Sequence, residues 1–450
     1  MALSSRQLGD ASAILQHLLR LKAIYYRIPG TAFGLAHGTD TVLLGAHGVK
    51  DVASQEPVDP AETAFRCASI TKSFTATAVM QSVERGKLRL DDSVVARLPW
   101  TRRALDPEVT IRDLLMHAGG IVRDGSNAWD GTSMPDRATF RSEVLAHASF
   151  AEPLERFRYS NVAYSLLGEI LESVTGRSFE ALIRSNVIRP LGLSRTWPDL
   201  VPAARRALAT GYFGARPDEE RAAANHVRAL AVAPAGGLIS TVPELLEYQR
   251  AHLPGDDRLL SEHSKREMQR VQWQRSDEPH YGLGWMSWHV DGMSLISHSG
   301  GFPGFVTHIA FAPQENLAAA VLTNANSPFA GVGIELIYET VASVRRLWPD
   351  SAGSGHGHTR GSLAPFVGVY RSRGQDLLIA RVNEVLYLVD PSAPSPFALP
   401  NRLEPLSRRR FRITSGDDFG YLGEEVTFDV DRSGRVNSFT YGANVVVREE

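Results

Sequence analysis

The alternation of apolar and polar positions divides this chain into two styles, helices mixed with hairpins up to about Trp348 and short strands alone after it. Between Ala13 and Tyr26 the apolar residues are interrupted by Gln16, His17, Arg20 and Lys22, which predicts an amphipathic helix. Gly30 to Gly48 alternates about His37-Gly38-Thr39-Asp40 and predicts a two-stranded hairpin. Ile70, Phe74, Ala78 and Val83 predict an amphipathic helix over about Ser69 to Arg85, with Gly86 as its C′ residue. Val109 to Gly120 reads as a capped short helix closed by its glycines. Leu166, Leu167, Ile170, Leu171 and Val174 place another helix after Phe157–Asn161 and before Gly176. Pro243 to Arg250 predicts a short helix, and Tyr281-Gly282-Leu283-Gly284-Trp285 begins a strand. Val306–Phe311 and Leu317–Leu322 flank Pro313–Asn316 as a hairpin. From Gly120 to Phe150 the pattern fades, and its glycines, polar residues and Trp129 predict a long loop or lid.

After Trp348 the chain turns to small and polar residues over 349–362, the composition of a flexible linker whose histidines are solvated. Leu377–Ala380, Val385–Val389, Arg410–Thr414, Val426–Val430 and Val445–Val447 then alternate as strands of a small antiparallel β domain. The predicted organisation is a domain over 1–348, a linker over 349–362 and a β domain over 363–450, which suits a chain of 450 residues.

Composition narrows the function. With 48 Lys and Arg against 50 Asp and Glu, the net charge is −2, and no basic surface for nucleic acid is expected. The single cysteine, Cys67, excludes an intrachain disulfide and a cysteine zinc site, and the histidines form no recognisable ligand pair. No metal or other cofactor is predicted. The N-terminal stretch is too interrupted for a secretory signal and no run of 18 apolar residues occurs, so no transmembrane span and a cytoplasmic location are expected.

Candidate chemistry starts at Ser69-Ile70-Thr71-Lys72. At positions i and i+3 of a helix the two side chains share a face, so an amine with a depressed pKa can take the serine proton. Only five of the cationic residues are lysines, and this is the one lysine with a serine three residues before it. Tyr159 and Asn161 lie just ahead of a helix, where a phenol and an amide can enter one pocket. Taken alone they read better as a packing residue and a cap, and His298-Ser299-Gly300 taken alone reads better as a hydrogen-bonded strand end; their order after Ser69 favours the site. With Gly300 and Gly301 the backbone there admits close approach, so that main-chain N–H groups can bind an oxyanion. His117-Ala118-Gly119 repeats the His-x-Gly pattern, but it ends a helix and is assigned to a turn.

Ser69-x-x-Lys72, Tyr159-x-Asn161 and His298-x-Gly300 in this order resemble the class C-like branch of the serine β-lactamase and penicillin-binding protein superfamily, over roughly residues 10 to 345. The resemblance implies an α/β (α+β) sandwich of an antiparallel sheet and a helical lobe. It implies that Ser69 forms an acyl-enzyme, that Lys72 and Tyr159 share the proton transfers, and that Asn161, His298 and Gly300 bind substrate. The backbone N–H groups of Ser69 and Gly301 would form the oxyanion hole. His298 stands where many β-lactamases carry lysine, which is more similar to the D-aminopeptidases, DD-peptidases and esterases of the group. The expected substrate is therefore a small amide, a peptide, including one with D-amino acids, or an ester. An acyltransferase or a β-lactamase would use the same residues, and a non-catalytic binding or assembly protein is the reading from another class. Phe366-Val367-Gly368-Val369-Tyr370 resembles the opening of the lipocalin-like barrel appended to some members, which either restricts access or aids homo-oligomerisation.

Overall fold

Ser4 and Gln7 bond each other's backbone in a capping box, and from there helix α1 runs over Ser5–Tyr25. Strands β1 (Gly30–His37) and β2 (Asp40–Asp51) form the expected hairpin, turning through Gly38 at φ +55°. A short β3 (Glu56–Pro57) follows. Three helices carry most of what matters to function: α2 (Thr71–Glu84), α3 (Asn161–Thr175) and α4 (Val242–Arg250). Five further strands close the sheet: β4 (His280–Tyr281), β5 (Met286–Val290), β6 (Met293–Phe302), β7 (Phe305–Ala312) and β8 (Leu317–Thr323). Helix α5 (Phe329–Ala352) leads to the last eight strands. This computed structural model describes residues 3–125, 132–149, 151–216, 218–352, 362–372, 374–416 and 422–449.

Residues 28–334 make one compact unit. Its eight strands run antiparallel in the order β3-β2-β1-β8-β7-β6-β5-β4, so β1 is central because β8 returns beside it, from Thr31 opposite Thr323 to His37 opposite Leu317. Helix α4 packs on β1, β7 and β8, and α2 and α3 lie against each other in the helical lobe. Helix α2 departs from the amphipathic expectation, since every residue from Thr71 to Ser82 is buried. Its hydroxyls make that tenable by bonding carbonyls one turn back, Ser73 to Ile70, Thr77 to Ser73 and Ser82 to Ala78.

Two further expectations are corrected. The helix Ile111–Leu115 is closed by His117 at φ +62° and not by a glycine immediately after it, and the His117 ring is bonded at both nitrogens. The predicted lid contains a helix, Arg137–His147, capped by Asp136; only Phe140 and Val144 on it are buried, too short an apolar stripe to stand out in the sequence. Trp129 and Phe150 lie outside the described residues.

Met1–Arg27 and Glu335–Glu450 make the other compact unit, so contacts divide the chain at different points from 348/349. The reason is α1, from which Tyr25 donates to Asp376 at 2.9 Å, Lys22 to the Ala393 carbonyl at 2.6 Å, and Asp10 accepts from the Asn383 N–H at 2.6 Å. Helix α5 extends through 349–352, and 353–361 of the expected linker lie outside the described residues. The eight strands form a closed antiparallel barrel in chain order, β9 (Gly368–Arg371), β10 (Asp376–Val382), β11 (Val385–Val389), β12 (Asn401–Pro405), β13 (Arg410–Ser415), β14 (Glu425–Val430), β15 (Val436–Tyr441) and β16 (Asn444–Arg448). Phe366, Phe411, Phe428 and Phe439 pack together as its core, and the buried Tyr370 hydroxyl donates to the Phe366 carbonyl. Among the described residues no helix is long and apolar enough to cross a membrane.

Candidate active site

Ser69, the candidate nucleophile, sits on a turn held from three sides. Phe65–Arg66 pairs with Ile239–Ser240, the Cys67 N–H donates to the Leu238 carbonyl at 2.8 Å, and the Cys67 carbonyl accepts from Thr307 Oγ1 of β7 at 3.2 Å. Ala68 then takes a left-handed φ of +48°, an unfavourable conformation for a residue with a Cβ. Thr71 Oγ1 secures it by donating to the Ala68 carbonyl at 2.5 Å while accepting from the Leu238 N–H at 3.0 Å. Ser69 lies in the single 3₁₀ turn Ala68–Ile70 that opens α2.

Lys72 is fully buried, with Nζ 3.0 Å from Ser69 Oγ, 2.6 Å from Asn161 Oδ1 and 2.9 Å from the Ala235 carbonyl. The amide orientation is set by Asp124, whose carboxylate only accepts and therefore takes Asn161 Nδ2 at 2.6 Å, leaving Oδ1 for the lysine. Burial pushes the Lys72 pKa well below its ordinary value; Asp124 opposes this and Arg123 adds to it. A neutral amine has two N–H groups and one lone pair. In that neutral form the Asn161 and Ala235 oxygens take both N–H groups and leave the lone pair for Ser69.

Tyr159 is half-buried and also hydrogen-bonds Ser69. Lys72 Nζ lies 4.7 Å from the centre of its ring, and burial holds the phenol pKa above its ordinary value, so the phenol keeps its proton. Asn161 is free to face Lys72 because Ser160, not Asn161, caps α3, its Oγ accepting from the Ala163 N–H at 2.9 Å.

The sheet side presents β6. Pairing with β5 ends at Met286 opposite Ser297, while β7 continues beside β6 to Phe302, so among the described residues 298–302 have a strand on one side only. Ser299 and Gly301 are exposed there, whereas His298 and Gly300 point inward. His298 Nδ1 lies 2.7 Å from the Ser299 carbonyl and Nε2 lies 3.0 Å from Tyr281 Oη; burial drives its pKa down to about 3. Gly300 does not line the cleft. A Cβ built on it would meet the Cys67 carbonyl at 2.1 Å, so the absence of a side chain lets β6 close on the nucleophile turn.

Ser69, Tyr159, Asn161, His298 and Gly301 share the wall of one cleft of about 650 Å³, together with Arg123, Asp124, Phe213, Met286, Ser299, Phe302, Pro303 and Asn326. Lys72 lies below it, in contact with Ser69. A separate cavity of about 260 Å³ against Glu169 and Pro234 contains none of these groups. Sequence reasoning passed over Asp124, the Ala235 carbonyl, His117 and Tyr281. Only the last two left a trace, His117 as a repeat of His-x-Gly and Tyr281 as the first residue of a strand phrase.

A family model described as Beta-lactamase matches residues 12–342. Penicillin-binding protein 4 of Amycolatopsis lactamdurans is 29% identical over 331 residues, 70% of this chain and 86% of its own. The octameric penicillin-binding protein homologue from Pyrococcus abyssi aligns over 97% of this chain and 99% of its own, with a TM-score of 0.65 and 23% identity. SurE, solved with D-Leu, aligns over 98% of this chain and 100% of its own, with a TM-score of 0.55 and 26% identity. Both structural likenesses extend through the barrel.

Proposed function

The chain belongs to the beta-lactamase family, and from that premise we propose that it is a serine hydrolase that cleaves a small amide, peptide or ester through an acyl-enzyme on Ser69. The observation that carries the proposal is Lys72, buried and 3.0 Å from Ser69 Oγ, with Asn161 Oδ1 and the Ala235 carbonyl as the other two neighbours of its amine. Such an amine is a base aimed at one hydroxyl.

Ser69 Oγ adds to the substrate carbonyl carbon as its proton passes to Lys72. The oxyanion is held by the N–H groups of Ser69 and Gly301, where the open edge of β6 lines the cleft. Collapse expels the amine or alcohol, which takes the Tyr159 proton, and the Lys72 ammonium reprotonates the phenolate. Water then releases the acid by the same transfers in reverse. Asn161 orients the substrate carbonyl from the helical side while Asp124 orients Asn161.

Phe213, Met286, Phe302 and Pro303 make one part of the cleft apolar and favour a substrate with an apolar side chain. The relative solved with D-Leu supports a substrate that carries a D-configured residue. The test is hydrolysis of D- and L-leucine anilides, short acyl nitrophenyl esters and a cephalosporin by wild type and Ser69→Ala. Turnover of the D-anilide by wild type alone is expected; wild-type rates in Ser69→Ala would remove the assignment.

A further inference from the structure

Behind the cleft three buried rings touch in series. The Ser160 N–H meets His117 Nδ1 at 3.0 Å, His117 Nε2 meets Tyr281 Oη at 3.1 Å, Tyr281 Oη meets His298 Nε2 at 3.0 Å, and His298 Nδ1 meets the Ser299 carbonyl at 2.7 Å. His117, Tyr281 and His298 are each only 1% exposed. The two ends of the series decide its polarity. A backbone N–H can only donate, so His117 Nδ1 is bare and neutral His117 carries its proton on Nε2. A carbonyl can only accept, so His298 carries its proton on Nδ1. Tyr281 therefore accepts from His117 and donates to His298 Nε2. Tyr164 also neighbours Tyr281, but its own hydroxyl donates to the Leu115 carbonyl. Were the Tyr281 proton turned to Tyr164, His298 would need a second proton. Burial disfavours that charge.

The terminal groups of the series are informative. Ser160 is the middle residue of Tyr159-x-Asn161 and Ser299 the middle residue of His298-x-Gly300, so three rings tie the helical wall of the cleft to its sheet wall. We propose that His117, Tyr281 and His298 are positioning residues for the Ser69 reaction, forming a neutral brace of fixed polarity that holds the Tyr159–Asn161 turn against β6. His298 lines the cleft but is thereby a member of the brace, its ring nitrogens not offered to substrate because both already have partners. This rests on the hydrolase reading only for its effect on rate.

Two measurements test it. In protein carrying ¹⁵N-histidine, with resonances assigned by their loss in His117→Gln and His298→Gln, the wild type at neutral pH shows His298 as the Nδ1–H tautomer and His117 as the Nε2–H tautomer. Tyr281→Phe, which deletes one oxygen, lowers kcat by about 10- to 100-fold with KM changed by less than about threefold, because alignment of Tyr159 is disturbed more than substrate binding. A proton on His298 Nε2 overturns the brace, and so does a Tyr281→Phe kcat within about twofold of wild type. The nitrogen spectra need no substrate and no Tyr281 variant, so they judge the brace even where the hydrolase reading fails on the substrate panel or Tyr281→Phe does not fold.

Discussion

Lys72 on the helical side of the cleft and His298 on the sheet side are both fully buried nitrogen bases, and burial lowers the pKa of both. Only one of them is a base in the chemical sense. When neutral, the Lys72 amine gives its protons to Asn161 and Ala235 and keeps its lone pair for Ser69, whereas the His298 lone pair is met by the Tyr281 hydroxyl and its proton by its neighbour's carbonyl. The difference teaches that a pKa lowered by burial is not sufficient for general-base work. What matters is which atom is left for the lone pair once every proton has an acceptor.

The strongest way to break this contrast is Lys72→Arg. Arginine keeps donors but has no lone pair to offer at any working pH, so Ser69-dependent turnover falls by about 10²- to 10⁴-fold while circular dichroism is unchanged. Survival of most of the activity would mean that another group takes the Ser69 proton. A second comparison uses neighbouring glycines of β6. Gly300→Ala pushes a methyl onto the Cys67 carbonyl, costs about 1–3 kcal/mol of stability and displaces the nucleophile turn. Gly301→Ala meets nothing within 4 Å and leaves the melting temperature nearly unchanged. Equal melting temperatures for the two variants would contradict the close approach at Gly300.

The smallest effect sharpens the Lys72 side. Asp124 raises the Lys72 pKa against the lowering effect of burial, so Asp124→Asn lowers that pKa further. Turnover requires neutral Lys72 and is lost as pH falls through its pKa, so the acid limb of the kcat/KM profile moves to lower pH in the variant. An acid limb that moves up, or stays in place, would remove Asp124 as the charge that Lys72 senses.

Much of this arrangement was legible before the fold was known, and the reason is distance along the chain. Ser69 and Lys72 are one helical turn apart, and Tyr159 and Asn161 two residues apart, so local geometry alone places each pair together. The hairpin at Gly38 and the end of α2 at Gly86 were equally plain, because a positive φ at glycine leaves a local mark. The Asn161 contact with Asp124 spans 37 residues and the His117 contact with Tyr281 spans 164, and no local rule joins them. Local grounds assign His117 to a turn, and it does occupy one, but its ring also has a partner far along the chain.

The sequence by itself determined the closeness of Ser69 and Lys72, the order of the three motifs and the change from mixed helices and hairpins to strands alone, since each follows from side chains near one another in the chain. Only the tertiary structure decided that Lys72 is dry, that Asn161 turns its oxygen toward it, and that His298 has no free nitrogen. Protonation and hydrogen-bond polarity depend on which groups surround a nitrogen once water is excluded, and that is settled by residues scores of positions away.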